Sequence, residues 1–198
     1  MRTRTGVMVA AAVAAAVVTG CEEGGLPGTG EPEVCAIPPN DPWAGLVRDQ
    51  VQALSVGPMF SPTEAAGFDG IAVVELDGSV EVRDSTAVLD ATVVEAVRGV
   101  REDDRVTLRY DDLGATGDEI SRVLPDGPVL VFWDEHEGLR RVPHDGLWYE
   151  VPIMGCDEPV GARLSNPVHD LGSPEGWGPV ATLPDLVARL EGGPATSG

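Results

Sequence analysis

From Gly70 onward, apolar residues recur at the two-residue period of half-buried strands. Runs rich in Val, Ile, Leu and Thr fall at 71–76, 79–83, 86–98, 105–110, 128–133, 139–143, 147–152 and 161–165, with turn residues between them. Asp77-Gly78 reads as the tight turn of a first hairpin, and Pro143-His144-Asp145-Gly146 divides two later strands. So many short strands must each bury one face and protect their edges, which a sheet closed on itself achieves. The expectation is a mainly β protein built on a small antiparallel barrel.

The period changes to that of helices on either side. Asp41-Pro42 offers a cap and a first-turn proline, and Trp43, Leu46, Val47, Val51 and Leu54 then share one face, predicting a helix over 42–54. Gly57-Pro58 ends it, and Ser61-Pro62-Thr63-Glu64 has the spacing of a capping box for one further turn. After the strands, 172–179 is rich in Gly and Pro. Thr182-Leu183-Pro184-Asp185 then caps a short amphipathic helix whose Leu183, Leu186, Val187 and Leu190 form one stripe, expected to dock on the barrel.

A different pattern opens the chain. Arg2 and Arg4 precede an apolar and small-residue run from Gly6 to Val18, about 13 residues or roughly 20 Å as a helix, too short for a hydrocarbon core of about 30 Å. That is the layout of a cleaved signal peptide. It ends in Val18-Thr19-Gly20-Cys21, which resembles the lipobox of bacterial lipoproteins, with Val18 in place of the usual Leu. The resemblance implies a diacylglycerol on the Cys21 sulfur, cleavage after Gly20 and anchoring at the outer face of a membrane, two or more acyl chains being needed for stable attachment. Residues 1–20 are thus expected to be the signal peptide and 21–34 an acidic Gly/Pro tether spanning roughly 20 Å. One β-rich domain over 35–191 and a disordered tail over 192–198 complete the expected organisation.

Charge narrows the partners. The 33 acids outnumber the 13 basic residues, a net −20 that becomes −22 once residues 1–20 and their two arginines are removed. Nucleic acid and anionic head groups are repelled by such a surface. With Cys21 committed to lipid, Cys35 and Cys156 remain as an even pair in an exported chain, and a disulfide between them is expected. It would close a loop of about 120 residues, for which chain entropy gives up to roughly 4–5 kcal/mol.

Within 70–152 the order of segments adds a likeness. A long strand ending Val94-Glu95-Ala96-Val97-Arg98-Gly99 is followed by a short acidic turn and by Arg105-Val106-Thr107-Leu108-Arg109. A loop then leads to Gly127-Pro128-Val129-Leu130-Val131-Phe132. This succession resembles the OB-like barrels of tissue-inhibitor and netrin-type domains. The resemblance implies an OB-like fold; the protease inhibition known in that group needs a free N-terminal cysteine and does not carry over to a lipidated Cys21.

Few residues suggest chemistry. Asp134-Glu135-His136-Glu137 is the densest set of potential ligands, but neighbours in a hairpin point apart and no metal-site spacing occurs, so no metal or other cofactor is expected. His144 and His169, each followed by Asp, read as turn residues, and no nucleophile elbow is present. Phe132-Trp133 and Trp148-Tyr149 place two aromatic residues side by side in two strands, so that one ring of each pair faces inward and one outward. The outward ring either joins a recognition surface for a glycan or protein or lies beneath the C-terminal segment. Trp133, His136, Trp148 and Tyr149 are accordingly the candidate binding residues. The functional expectation is a monomeric, non-catalytic envelope lipoprotein that binds an unidentified ligand; the alternative is an extracytoplasmic metal-dependent or convergent hydrolase using His136 or His144.

Overall fold

In the computed structural model, the described residues are 41–51, 61–155, 158–168 and 176–192. Cys21, Cys35, Cys156, His169, the signal and tether segments and the tail beyond 192 lie outside them. Asp41 caps α1 (Pro42–Val51), its Oδ1 accepting from Ala44 N at 3.1 Å. The expected continuation of this helix to residue 54 lies outside the described residues. Ser61 and Glu64 exchange the two bonds of a capping box on α2 (Pro62–Ala65).

The strands follow: β1 (Gly70–Arg83), β2 (Thr86–Arg98) and β3 (Arg105–Tyr110), then the short α3 (Gly117–Ser121), then β4 (Val129–His136), β5 (Leu139–Val142), β6 (Leu147–Met154) and β7 (Pro159–Ser165), with α4 (Leu183–Glu191) last. Pairing runs β1-β2-β3-β5-β4 and returns from β4 to β1, closing a five-stranded barrel, while β6 and β7 extend from β4 as a flap of sheet. The fold is the mainly β, OB-like barrel expected, with one refinement. All its pairings are antiparallel except β3 with β5, which is parallel, because α3 carries the chain across the barrel end before the β4–β5 hairpin returns beside β3.

The first hairpin differs from the expectation. Asp77-Gly78 does not reverse the chain. Instead β1 runs on past it, and its register with β2 jumps between Leu76 and Val80, so that 77–79 bulge out with Gly78 at φ +75°. The reversal lies at Asp84-Ser85, both in the left-handed region, where a primed turn matches strand twist. Two further register shifts, between Ile71 and Ala72 and between Val73 and Val74, supply the curl that closure requires.

Strand alternation sorts the apolar residues into two layers. Ala72, Val74, Leu89, Val106, Leu108, Val129, Val131 and Trp133 face the interior, where Trp43 of α1 plugs one end with its ring edge-on to Tyr110, centroids 5.7 Å apart. Small residues make room for large ones. Gly70 lies directly opposite Trp133, and a Cβ there would sit 1.9 Å from the indole. Ile71, Val73, Leu130, Phe132 and Trp148 face outward and are covered by Trp177, Val180 and the Leu183, Leu186 and Val187 stripe of α4.

Candidate functional site

The aromatic pairs divide as alternation requires. Trp133 and Tyr149 point into the barrel; Phe132 and Trp148 point outward. All four are buried, at 2% exposure or less. The outward rings therefore form no open recognition surface, because Trp177 and α4 bury them. Trp148 Nε1 donates to the Asp145 carbonyl at 3.0 Å. Tyr149 donates its hydroxyl to Asp41 Oδ2, which also accepts from Ser165 Oγ at 2.7 Å. Burial first, then the bond to Asp41, raises the Tyr149 pKa far above that of a free phenol; burial likewise raises that of Tyr110, whose hydroxyl donates to the His144 carbonyl. These are structural anchors.

His136 stands exposed at the tip of the β4–β5 hairpin, beside the turn at Glu137-Gly138, where both residues have positive φ. The ring of His144 packs edge-on to Tyr110 at 5.5 Å. His144 lies in the turn that reaches Phe132 through the bond from Phe132 N to Gly146 O, four strand residues or about 13 Å along β4 from His136. The two imidazoles thus belong to different neighbourhoods. Among the described residues, no three His, Cys, Asp or Glu side chains group as metal ligands.

The feature that sequence reasoning missed lies between the outer face of the barrel and α4. A half-open groove of about 490 Å³ is lined by Val73, Val94, Pro128, Leu183, Pro184 and Val187. Val73 faces outward on β1. Ala91 and Val93 face the interior, so alternation turns Val94 outward, and the second register shift leaves this β2 residue without a partner on β1. Val94 is 41% exposed, one of two large apolar side chains so exposed among the described residues. Pro128 introduces β4, and Glu150 on β6 fixes the opposite wall, its Oε1 accepting from Leu183 N at 2.8 Å where α4 begins. Thr182 and Asp185 complete that terminus as a capping box.

Three carboxylates, Glu95, Asp126 and Glu150, complete the lining, and no basic side chain shares it. Asp126 and Glu150 also border a second hollow of about 260 Å³ on the Asp41 and Tyr149 side. A volume in the range of small-molecule sites, an apolar floor and a few polar groups at the rim describe a place for a ligand. Compared with protein-family models, curated proteins and solved structures, the chain gives no match.

Proposed function

We propose that the protein is a non-catalytic binding module, held by lipid on Cys21 at the outer face of a membrane, with the groove between the barrel and α4 as its ligand site. The groove is the observation that carries the binding part: an apolar, half-open cavity of about 490 Å³ on an otherwise well-covered sheet face. The lipobox at Val18–Cys21 carries the anchoring part. No helix among the described residues is long and apolar enough to cross a membrane.

A bridge between Cys35 and Cys156 belongs to the same reading. Asp41 follows Cys35 by six residues and binds Tyr149 and Ser165 on β6 and β7, the strand pair that flanks Cys156 in sequence. What supports the bridge is the count: with Cys21 acylated, two cysteines remain in an exported chain, the setting in which disulfides form and persist.

Replacing Cys21 with Ala tests the anchor. The variant is expected to leave the membrane fraction and to lose acyl labelling entirely. Acyl label retained on Cys21→Ala refutes lipidation at this residue.

A further inference from the structure

We infer that the groove selects an organic cation that donates hydrogen bonds, a protonated amine or guanidinium joined to a compact apolar body. The inference rests on reading the groove as a ligand site, and it adds the chemistry of the ligand. Charge complementarity supports a cation. Glu95 and Asp126 are exposed, and Glu150 is half-buried with one oxygen engaged by Leu183 N. With no basic residue in the lining, an anion entering here would meet three carboxylates unopposed, whereas a cation would be met by acceptors beside an apolar floor.

Quaternary ammonium groups are held by aromatic faces, and the groove lining contains no aromatic ring. Carboxylates instead reward N–H donors, through charge-assisted bonds that a trimethylammonium cannot make. A volume of about 490 Å³ suits a small ligand, and nine lining residues fall well short of the roughly 20–30 residues a side of a stable protein interface.

The test uses four probes that share one apolar body: adamantylmethylammonium, its N-trimethyl derivative, adamantylmethanol and adamantanecarboxylate. Each is titrated into the full chain in zwitterionic nanodiscs and followed by NMR. The primary ammonium is expected to bind at one site, about tenfold tighter than the alcohol, a difference that a single tenfold step in Kd makes easy to resolve. The trimethyl derivative should fall near the alcohol, and the carboxylate should not bind. Val94→Trp, which fills the groove from an exposed position, should abolish binding. Glu95→Gln with Asp126→Asn should remove the preference for the ammonium, while Asp84→Asn with Asp112→Asn, the same charge change on exposed turns at the opposite end of β2 from Val94, should preserve it.

Ammonium and alcohol binding equally in a manner blocked by Val94→Trp would overturn the cation and leave the groove as a ligand site. A trimethyl derivative as tight as the primary ammonium would overturn the requirement for N–H donors. Preference lost equally in both charge variants would reduce the effect to net charge and overturn the inference as well. Binding insensitive to Val94→Trp, or no binding by any probe, would remove the groove itself as the ligand site.

Discussion

The two faces of the same sheet are finished in different ways. Inside, five strands close on one another and α1 seals an end, so that Trp43, Trp133, Tyr110 and Tyr149 are each at 2% exposure or less. Outside, a comparable set of apolar residues is covered by a segment laid on afterwards: Trp177, Val180 and the stripe of α4. A closed barrel leaves no choice about what covers its interior, since each strand is walled in by its neighbours. An overlaid helix must be fastened. Here the fastening is the bond from Leu183 N to Glu150 together with three apolar residues, and where the cover stops, the groove begins. Open space arises on the face whose burial is incomplete.

The largest expected effect separates these two kinds of burial. Trp133→Ala removes a buried indole from the closed interior and should cost about 3–5 kcal/mol, without collapse, because Gly70 opposite has no side chain to move in. Unfolding should remain a single transition, with amide protection falling across all five barrel strands. Leu186→Ala, at 0% exposure in the outer layer, should cost roughly 2–4 kcal/mol of local stability. Its amides should lose protection in α4 while β1 to β5 keep theirs. Hydrogen exchange reads both, and equal loss of barrel protection in Leu186→Ala would mean that the outer layer is as integral as the inner one.

How much of this was legible in the sequence also divides by face. Alternation required one ring of Phe132-Trp133 and one of Trp148-Tyr149 to face inward and the other outward, and they do, because a strand's side-chain period is a local property; which ring took which face was not legible. The stripe at 183, 186 and 187 announced a docked helix for the same reason. What local patterns cannot encode is which outward apolar face receives the cover, and so the groove was invisible. Turn chemistry misled at Asp77-Gly78, whose Asp-Gly signal fits a left-handed bulge as well as it fits a hairpin; Asp84-Ser85 carries a weaker signal yet makes the turn. The parallel pairing of β3 with β5 depends on a crossover through α3. That helix does have a readable start, since Thr116 and Glu119 form a capping box with the spacing recognised at Ser61 and Glu64.

A middle-sized effect probes how the inner layer is sealed. Asp41 does three things at once: it caps α1 and accepts from Tyr149 and Ser165. Losing the cap costs about 1 kcal/mol, and each hydrogen bond to a charged group is worth roughly 1.5–3 kcal/mol. Shared acceptors do not add fully, so Asp41→Ala should destabilise by about 3 kcal/mol in denaturant titration. Glu150→Ala removes the side-chain acceptor of the Leu183 N–H from the outer layer and should cost about 1 kcal/mol. The order of the two is the prediction: a larger loss in Glu150→Ala would place the critical fastening outside the barrel.

The smallest effect is a dependence on alkaline pH, and it belongs to the inner layer alone. The chain has two tyrosines, and both face the interior, Tyr110 with its pKa raised by burial and Tyr149 by burial and the bond to Asp41. In the unfolded chain a phenol titrates near 10. A folded pKa above that value means that the stabilisation is complete below about pH 10. It declines above, as the unfolded state gives up its proton first, with a limiting slope of about 1.4 kcal/mol per pH unit for each tyrosine. Tyr149→Phe removes one of the two ionisations, so the fall in stability between pH 10 and 11 should become roughly half as steep. The variant should also start lower at pH 7, because Asp41 loses a donor. The outer layer holds no tyrosine, so α4 amides should lose protection with the barrel and not ahead of it as the pH rises. Early loss confined to α4 would show that the alkaline response originates outside, and an unchanged slope in Tyr149→Phe would show that this phenol is as free to ionise in the folded protein as in the unfolded chain.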